Sequence, residues 1–288
     1  MKTILIPTDF SKNAWNTIAY AMEFLKEERC TFYFLHTYTP AFYRMDYIIG
    51  GPEFSAIPDK GVDDSVQGLE RTLEAVKTKF NNPKHLYKTI SAFNELTDEI
   101  SDLNIKKDID LIIMGTQGAS GVKEIFLGTN TVHVIRKSKV PVLVIPSGYS
   151  YQGIKHVLFT ADYISDYDRN QLYVAIEIAK MYDAEITVLH IKEEYDLTKA
   201  QEENKALLGL YLAQIPHVFK EERGTYMPEA IIDYLDRNDY ELLVMMNRKH
   251  SFFERMMKRQ HIDQVGFHVQ IPFLVIPDVT KNTKKSLQ

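Results

Sequence analysis

The stretch IIMGTQGASGVKEIFLGTNTVHVIRKSKVPVLVIP, residues 112–146, decides the fold. It opens on an apolar run and passes four glycines, Gly115, Gly118, Gly121 and Gly128. It then continues as a helix-length segment and closes on a second apolar run ending at Pro146. An apolar run, a glycine-rich turn, a helix and another apolar run form a strand-helix-strand crossover, the building unit of a parallel sheet. Residues 243–277, LVMMNRKHSFFERMMKRQHIDQVGFHVQIPFLVIP, repeat the succession without those glycines.

The two stretches pair without a gap from Asp110 and Glu241 to Pro146 and Pro277, a separation of 131 at both ends (241 − 110 and 277 − 146). Earlier segments pair in the same order. ILIPTDF matches VLFTADY, setting Asp9 against Asp162, and FYFLHT matches ITVLHI, setting His36 against His190. A duplicated domain explains every pair at once. The expected domains are residues 1–147 and 153–280, joined through SGYSYQG at 147–153, a short polar link containing glycine. The chain's 288 residues suffice for two domains of about 140 each.

Composition narrows the class. The chain is 45% hydrophobic and 25% charged, and it contains no apolar run of membrane-spanning length. A net charge of −5 speaks against nonspecific nucleic-acid binding as the main role. Met1 leads straight into the strand-like KTILIPTDF, with no secretory pattern, and the single cysteine, Cys30, permits no internal disulfide. Both features point to the cytoplasm. Cys30 opens an apolar run and reads as a small buried hydrophobe.

In the first copy, strands are expected over 3–7, 31–36, 86–91, 111–114 and 142–145, with helices over 11–27, 65–81, 97–106 and 129–137 between them. Five strands and four crossovers make a doubly wound α/β domain, and two such domains in tandem make the chain. Sheets of this kind bind ligands beyond the carboxyl ends of their strands, where the crossover direction reverses. Asp9 and Gly115 both fall at such ends. Residues 38–64 show no clear period and read as an irregular excursion over the same rim.

The glycines carry the chemistry. Gly115 and Gly118 are three apart, Gly118 and Gly128 ten apart, and Thr129 opens a helix directly after Gly128. Without a Cβ, a backbone N–H can approach a phosphate closely, and a helix N-terminus adds unpaired N–H groups and a positive dipole end. The arrangement reads as a phosphate cradle. It is neither a P-loop nor the G-x-G-x-x-G of a dinucleotide fold, whose spacings are absent here.

Gly115-x2-Gly118-x9-Gly128-Thr129, with PTDFS closing the first strand and KSKVPVLVIP closing the copy, resembles the universal stress protein family. The resemblance covers both copies and is the more specific in the first. It implies a Rossmann-like sheet of the adenine nucleotide alpha hydrolase kind. It also implies that adenine nucleotide, as ATP, ADP or AMP, is held at the strand ends of the first domain, with any Mg²⁺ arriving on the phosphates. By that resemblance Asp9 contacts the nucleoside and Pro7 and Thr8 line its pocket. Phe32 lies against adenine, although it is larger than the aliphatic residue the family carries there. Met114, Gly115, Gly118, Gly128, Thr129, Asn130 and Thr131 take up ribose and phosphates. The last strands, VPVLVIP and IPFLVIP, are expected to pair within the chain as a built-in pseudo-dimer, which leaves further homodimerisation and a protein partner open.

Other readings stand beside these. Asp9 in TDFS also suits a helix cap. His36 and His190 end apolar strands and read as structural histidines, and no metal-ligand spacing occurs. In the second copy Met246, Lys249, Phe252, Arg259 and Gln260 stand opposite Gly115, Gly118, Gly121, Gly128 and Thr129, so a degenerate loop that does not bind ATP in the same way is expected. The basic segment NRKHSFFERMMKRQH reads as a solvated linker or as a docking or anion surface. Functionally, a nucleotide-binding stress or signalling module is favoured. A slow ATP hydrolase or phosphotransferase and a ligand-free dimerisation scaffold are the alternatives. Near the first loop Lys123 and Asp9 are the obvious charged candidates, and they form no recognisable catalytic constellation.

Overall fold

A computed structural model describes residues 1–38, 60–116, 127–193, 195–248, 251, 253–255 and 269–278. The first half runs β1 (Lys2–Pro7), α1 (Lys12–Phe24), β2 (Cys30–Tyr38), α2 (Lys60–Phe80), β3 (His85–Phe93), α3 (Leu96–Lys107), β4 (Leu111–Gly115), α4 (Thr129–Lys137) and β5 (Val142–Ile145). The second runs β6 (His156–Thr160), α5 (Arg169–Tyr182), β7 (Glu185–Lys192), α6 (Lys199–Leu212), β8 (His217–Arg223), α7 (Met227–Arg237), β9 (Leu242–Asn247) and β10 (Phe273–Pro277).

Among the described residues the strands form one sheet of ten, in the order β3-β2-β1-β4-β5-β10-β9-β6-β7-β8. Pairing is parallel throughout each half. The halves meet where β5 and β10 run antiparallel, with Leu143 opposite Leu274 and Val144 opposite Phe273. Alternation along each strand feeds two cores. Ile4, Ile6, Phe32 and Phe34 face the layer of α1, α2, α5 and α6. Leu5, Leu35, Ile112 and Val144 face the layer of α3, α4 and α7. Both cores continue across the junction, because Val142 and Val275 lie on one face and Leu143 and Leu274 on the other.

The helices start where local chemistry satisfies their first N–H groups. Ser11 caps α1 and Asp168 caps α5. Thr198 and Gln201 form a capping box on α6. Two expected boundaries move. The helix expected over 11–27 ends at Phe24, and the second helix begins at Lys60 rather than at 65, with Asp63 in its first turn, where an acid suits the helix dipole. Of the expected excursion over 38–64, Tyr38 closes β2 and 60–64 belong to α2, while 39–59 lie outside the described residues.

The link is more than a spacer. Gly148 and Gly153 have φ of +77° and +91°, a left-handed backbone that glycine adopts without penalty. Between them Tyr149 and Tyr151 turn inward against Tyr20, Phe24 and Tyr182, with Tyr151 edge-on to Tyr20 at 5.4 Å. Tyr182 also donates its hydroxyl proton to the Phe24 carbonyl, tying α5 to α1 across the junction.

Candidate functional site

The chain moves outward from β1 through β2 and β3, then returns to the other side of β1 as β4 and β5. The reversal lies between β1 and β4, so their carboxyl ends form the crevice in which such sheets hold ligands. Leu5 pairs with Ile112, and three residues further along both strands that register sets Thr8 beside Gly115.

On the β1 side, Thr8 is buried and donates its N–H to the Leu35 carbonyl at 2.8 Å. Its Oγ1 accepts from the Phe10 N–H at 3.1 Å. Asp9 is exposed, and its Oδ1 accepts from the Ser11 N–H at 3.0 Å. The cap of α1 is Ser11, whose Oγ accepts from the Ala14 N–H at 3.1 Å. The capping reading of Asp9 is therefore corrected: its carboxylate shapes the turn ahead of the helix. Phe10 sits at φ 64°, uncommon for an aromatic residue, and stacks on His36 at 4.5 Å.

On the β4 side, a Cβ on Gly115 would lie 2.5 Å from Asn13 Nδ2 and 3.0 Å from Thr17 Oγ1. This glycine lets the end of β4 close against α1. Its carbonyl accepts from Thr131 Oγ1 at 2.8 Å, and the Gly128 N–H donates to the Thr116 carbonyl. These two bonds seat the start of α4 on the end of β4. Gly128 is the N-cap, and no side chain caps the helix. Thr129 and Asn130 are exposed in its first turn and Thr131 is buried. Beside it the Thr116 hydroxyl is buried and has no hydrogen-bond partner among the described residues. Open N–H groups, a dipole's positive end and an unengaged hydroxyl fit an oxyanion.

The structure thus brings Pro7, Thr8, Asp9, Met114, Gly115, Gly128, Thr129, Asn130 and Thr131 to one rim, although the Met114 side chain points into the core with Leu5 and Leu127. Phe32 is not brought there. It pairs with Ile4 in mid-strand, three positions before the Pro7–Leu35 pair, and is 0% exposed, with His85 and Tyr87 against its ring. The expected contact of this side chain with adenine is corrected: the ring fills the core. Gly118, Gly121 and Lys123 lie outside the described residues, as do Lys249, Phe252, Arg259 and Gln260.

Both histidines are held by the fold. His36 Nδ1 lies 2.9 Å from Ser65 Oγ, which lies 2.7 Å from Ser91 Oγ. His190 Nδ1 donates to the Ala161 carbonyl at 2.9 Å. Burial lowers the His36 pKa, and the nearby Asp9 carboxylate opposes the shift. Among the described residues no His, Cys, Asp and Glu cluster could hold a metal ion, and no helix is long and apolar enough to cross a membrane.

The second half repeats the rim and fills it. Asp162 Oδ1 accepts from the Ile164 N–H at 3.0 Å, as Asp9 does from Ser11. Tyr163 takes φ 57° and packs on His190 at 5.2 Å, as Phe10 does on His36. Met246, the match of Gly115, is buried, and Arg248 follows it into the cleft. Room exists because α5 starts at Arg169, whereas Lys12, where α1 starts, matches residue 165 (12 + 153). Arg248 takes the carbonyls of Ser165 and Asp166 at 3.2 and 2.6 Å. Sequence reasoning missed Asn13, Thr17, Thr116 and Arg248. The polar pair four apart on α1 was the available signal for the first two; Arg248 was hidden in a run of basic residues.

Comparison with known proteins adds to this geometry. The model of the universal stress protein family matches residues 1–146 and 153–277. A universal stress protein of Methanocaldococcus jannaschii is 32% identical over 154 residues, 50% of this chain and 94% of that protein. One from Bacillus subtilis is 27% identical over 147 residues, 49% of this chain and 97% of its own. The crystal structure of a universal stress protein from Archaeoglobus fulgidus superposes with a TM-score of 0.64 at 19% identity, covering 96% of this chain and 98% of that one, a likeness of fold.

Proposed function

The chain belongs to the universal stress protein family, and from that premise we propose that its first half is a cytoplasmic binding module for adenine nucleotide, ATP foremost. The start of α4 is the observation that supports this most directly. Its first turn lacks a side-chain cap, yet it is anchored at the β1–β4 crevice through Gly128 and Thr131. The N–H groups of Thr129, Asn130 and Thr131 suit phosphate oxygens, and the family resemblance adds Gly118, which lies outside the described residues. Asp9 engages one carboxylate oxygen in its own turn, which leaves the other for ribose hydroxyls, beside Pro7 and Thr8. Met114 and Gly115 contribute backbone. Mg²⁺ would be carried by the phosphates and supply charge neutralisation.

Nucleotide binding then acts as a signal by favouring a state that a protein partner recognises. The second half, with Met246 and Arg248 in the cleft, does not take nucleotide in this manner.

Calorimetric titration of MgATP into the nucleotide-free chain tests the reading, after any carried small molecule has been extracted and identified. One nucleotide per chain is expected, with binding weakened at least tenfold, about 1.4 kcal/mol, by Gly128→Arg, which installs the residue found at the matched position. Absence of binding, or two equal sites, would overturn it.

A further inference from the structure

β3 and β8 stand at the two ends of the sheet, and among the described residues no strand pairs beyond either. An end strand presents a row of backbone N–H and C=O groups to any passing chain, and charged side chains are a common guard against such pairing. β8 is guarded, since it carries Lys220, Glu221, Glu222 and Arg223 in succession. β3 is not. Its one formal charge is Lys88, whose ammonium is turned back over the Tyr33 ring of β2 at 5.5 Å from the ring centre. Leu86 on this strand is 52% exposed, and Val66 of α2, next to the Ser65 that bonds Ser91, is 42% exposed.

The ladder fixes which backbone groups face outward. The Cys30 N–H donates to the Lys84 carbonyl, and alternate residues of a strand aim their N–H and C=O at the same neighbour. Leu86, Lys88 and Ile90 are therefore committed to β2, while the backbone groups of Tyr87, Thr89 and Ser91 point away from it. A second copy laid antiparallel with its two-fold axis at Thr89 meets these groups in register, Thr89 against Thr89 and Tyr87 against Ser91. The same register sets Leu86 against Ala92 and Lys88 against Ile90, so no like charges oppose each other. Applied at the centre of β8, the operation would set Lys220 against Lys220, which is repulsive.

We propose that the chain forms a homodimer in which the β3 edges of two copies pair antiparallel about Thr89, continuing the sheet from one chain into the other. This pairing repeats between chains what β5 and β10 do within one. It also brings α2 of both copies side by side over the seam, because the Ser65–Ser91 hydrogen bond holds α2 on this edge. The interface is closed by its own two-fold symmetry, and the charged β8 edges are left at the outer ends, where further growth stops.

Sedimentation equilibrium of the full-length chain at micromolar concentration tests the proposal. β10 covers β5 there, so association reports another surface. A weight-average mass approaching twice that of one chain is expected. Thr89→Pro deletes an outward N–H that β2 does not use, a change an edge strand tolerates, and should return the mass to that of a single chain. Thr89→Lys, at an exposed position, sets two ammonium groups against each other across the axis and should do the same. The lysine variant decides the matter if proline prevents folding, which far-ultraviolet circular dichroism reads. A single-chain mass at every concentration overturns the proposal, as does a dimer that Thr89→Lys leaves intact.

Discussion

At the scale of single residues, Gly115 shows how one position joins β4 to both α1 and α4. Its missing Cβ admits Asn13 and Thr17, and its carbonyl holds Thr131. Gly115→Ala is expected to cost about 1–3 kcal/mol by overpacking, measured by urea denaturation. Asn13→Ala in the same chain should recover part of that loss, whereas simple additivity would show that the clash is not with Asn13. His36 and His85 are both held below the ordinary histidine value of about 6.5, in each case first by burial. The folded state therefore binds fewer protons than the unfolded one, and the stability they contribute is present above that value and lost as pH falls below it. The urea midpoint should fall between pH 7 and pH 5.5, and less steeply in His36→Gln. Burial pushes the Cys30 thiol up to about 12, so alkylation at pH 8 should follow global unfolding. Labelling of the native chain at the rate of a free thiol would contradict this.

Helix starts distinguish the two halves at the scale of elements. Ser11 lets α1 begin directly behind the turn at Asp9, whereas the matched segment in the second half stays unwound until Asp168 caps α5. The carbonyls of Ser165 and Asp166 are then available to Arg248 instead of to helical N–H groups. Ser11→Ala should destabilise the chain by about 1 kcal/mol, measured from the denaturation midpoint, and it removes a support of the Asp9 turn. α4 is the opposite case, since Gly128 at its N-cap supplies no side-chain cap to the first turn. At this scale much was legible. The strand, glycine turn and helix of 112–146 announced the crossover, and the crevice followed from the strand order. Phe32 was not legible in the same way, because a strand pattern gives the face of a residue but not its distance from the rim.

Across the whole molecule, the antiparallel meeting of β5 and β10 turns two five-stranded sheets into one of ten. The junction is reinforced by Asn247 Nδ2, which donates to the Ile135 carbonyl at 2.9 Å, and by Asn16 Nδ2, which donates to the Tyr149 carbonyl at 3.2 Å. Residues 1–147 alone would expose the β5 edge and the face of Tyr20 and Phe24, so this fragment should self-associate in sedimentation equilibrium. A soluble monomer would show that β5 does not need its partner.

The amino-acid order by itself determined the duplication, the parallel crossovers and the glycine-led helix at the rim. Each of these is a pattern of spacing along the chain, set by the periods of strand and helix and by the backbone freedom of glycine. Tertiary structure alone decided that Gly115 faces Asn13, that Phe32 fills the core, and that Arg248 reaches the carbonyls of Ser165 and Asp166. Those facts join residues tens to a hundred positions apart, and only close packing of the folded layers determines which of them touch.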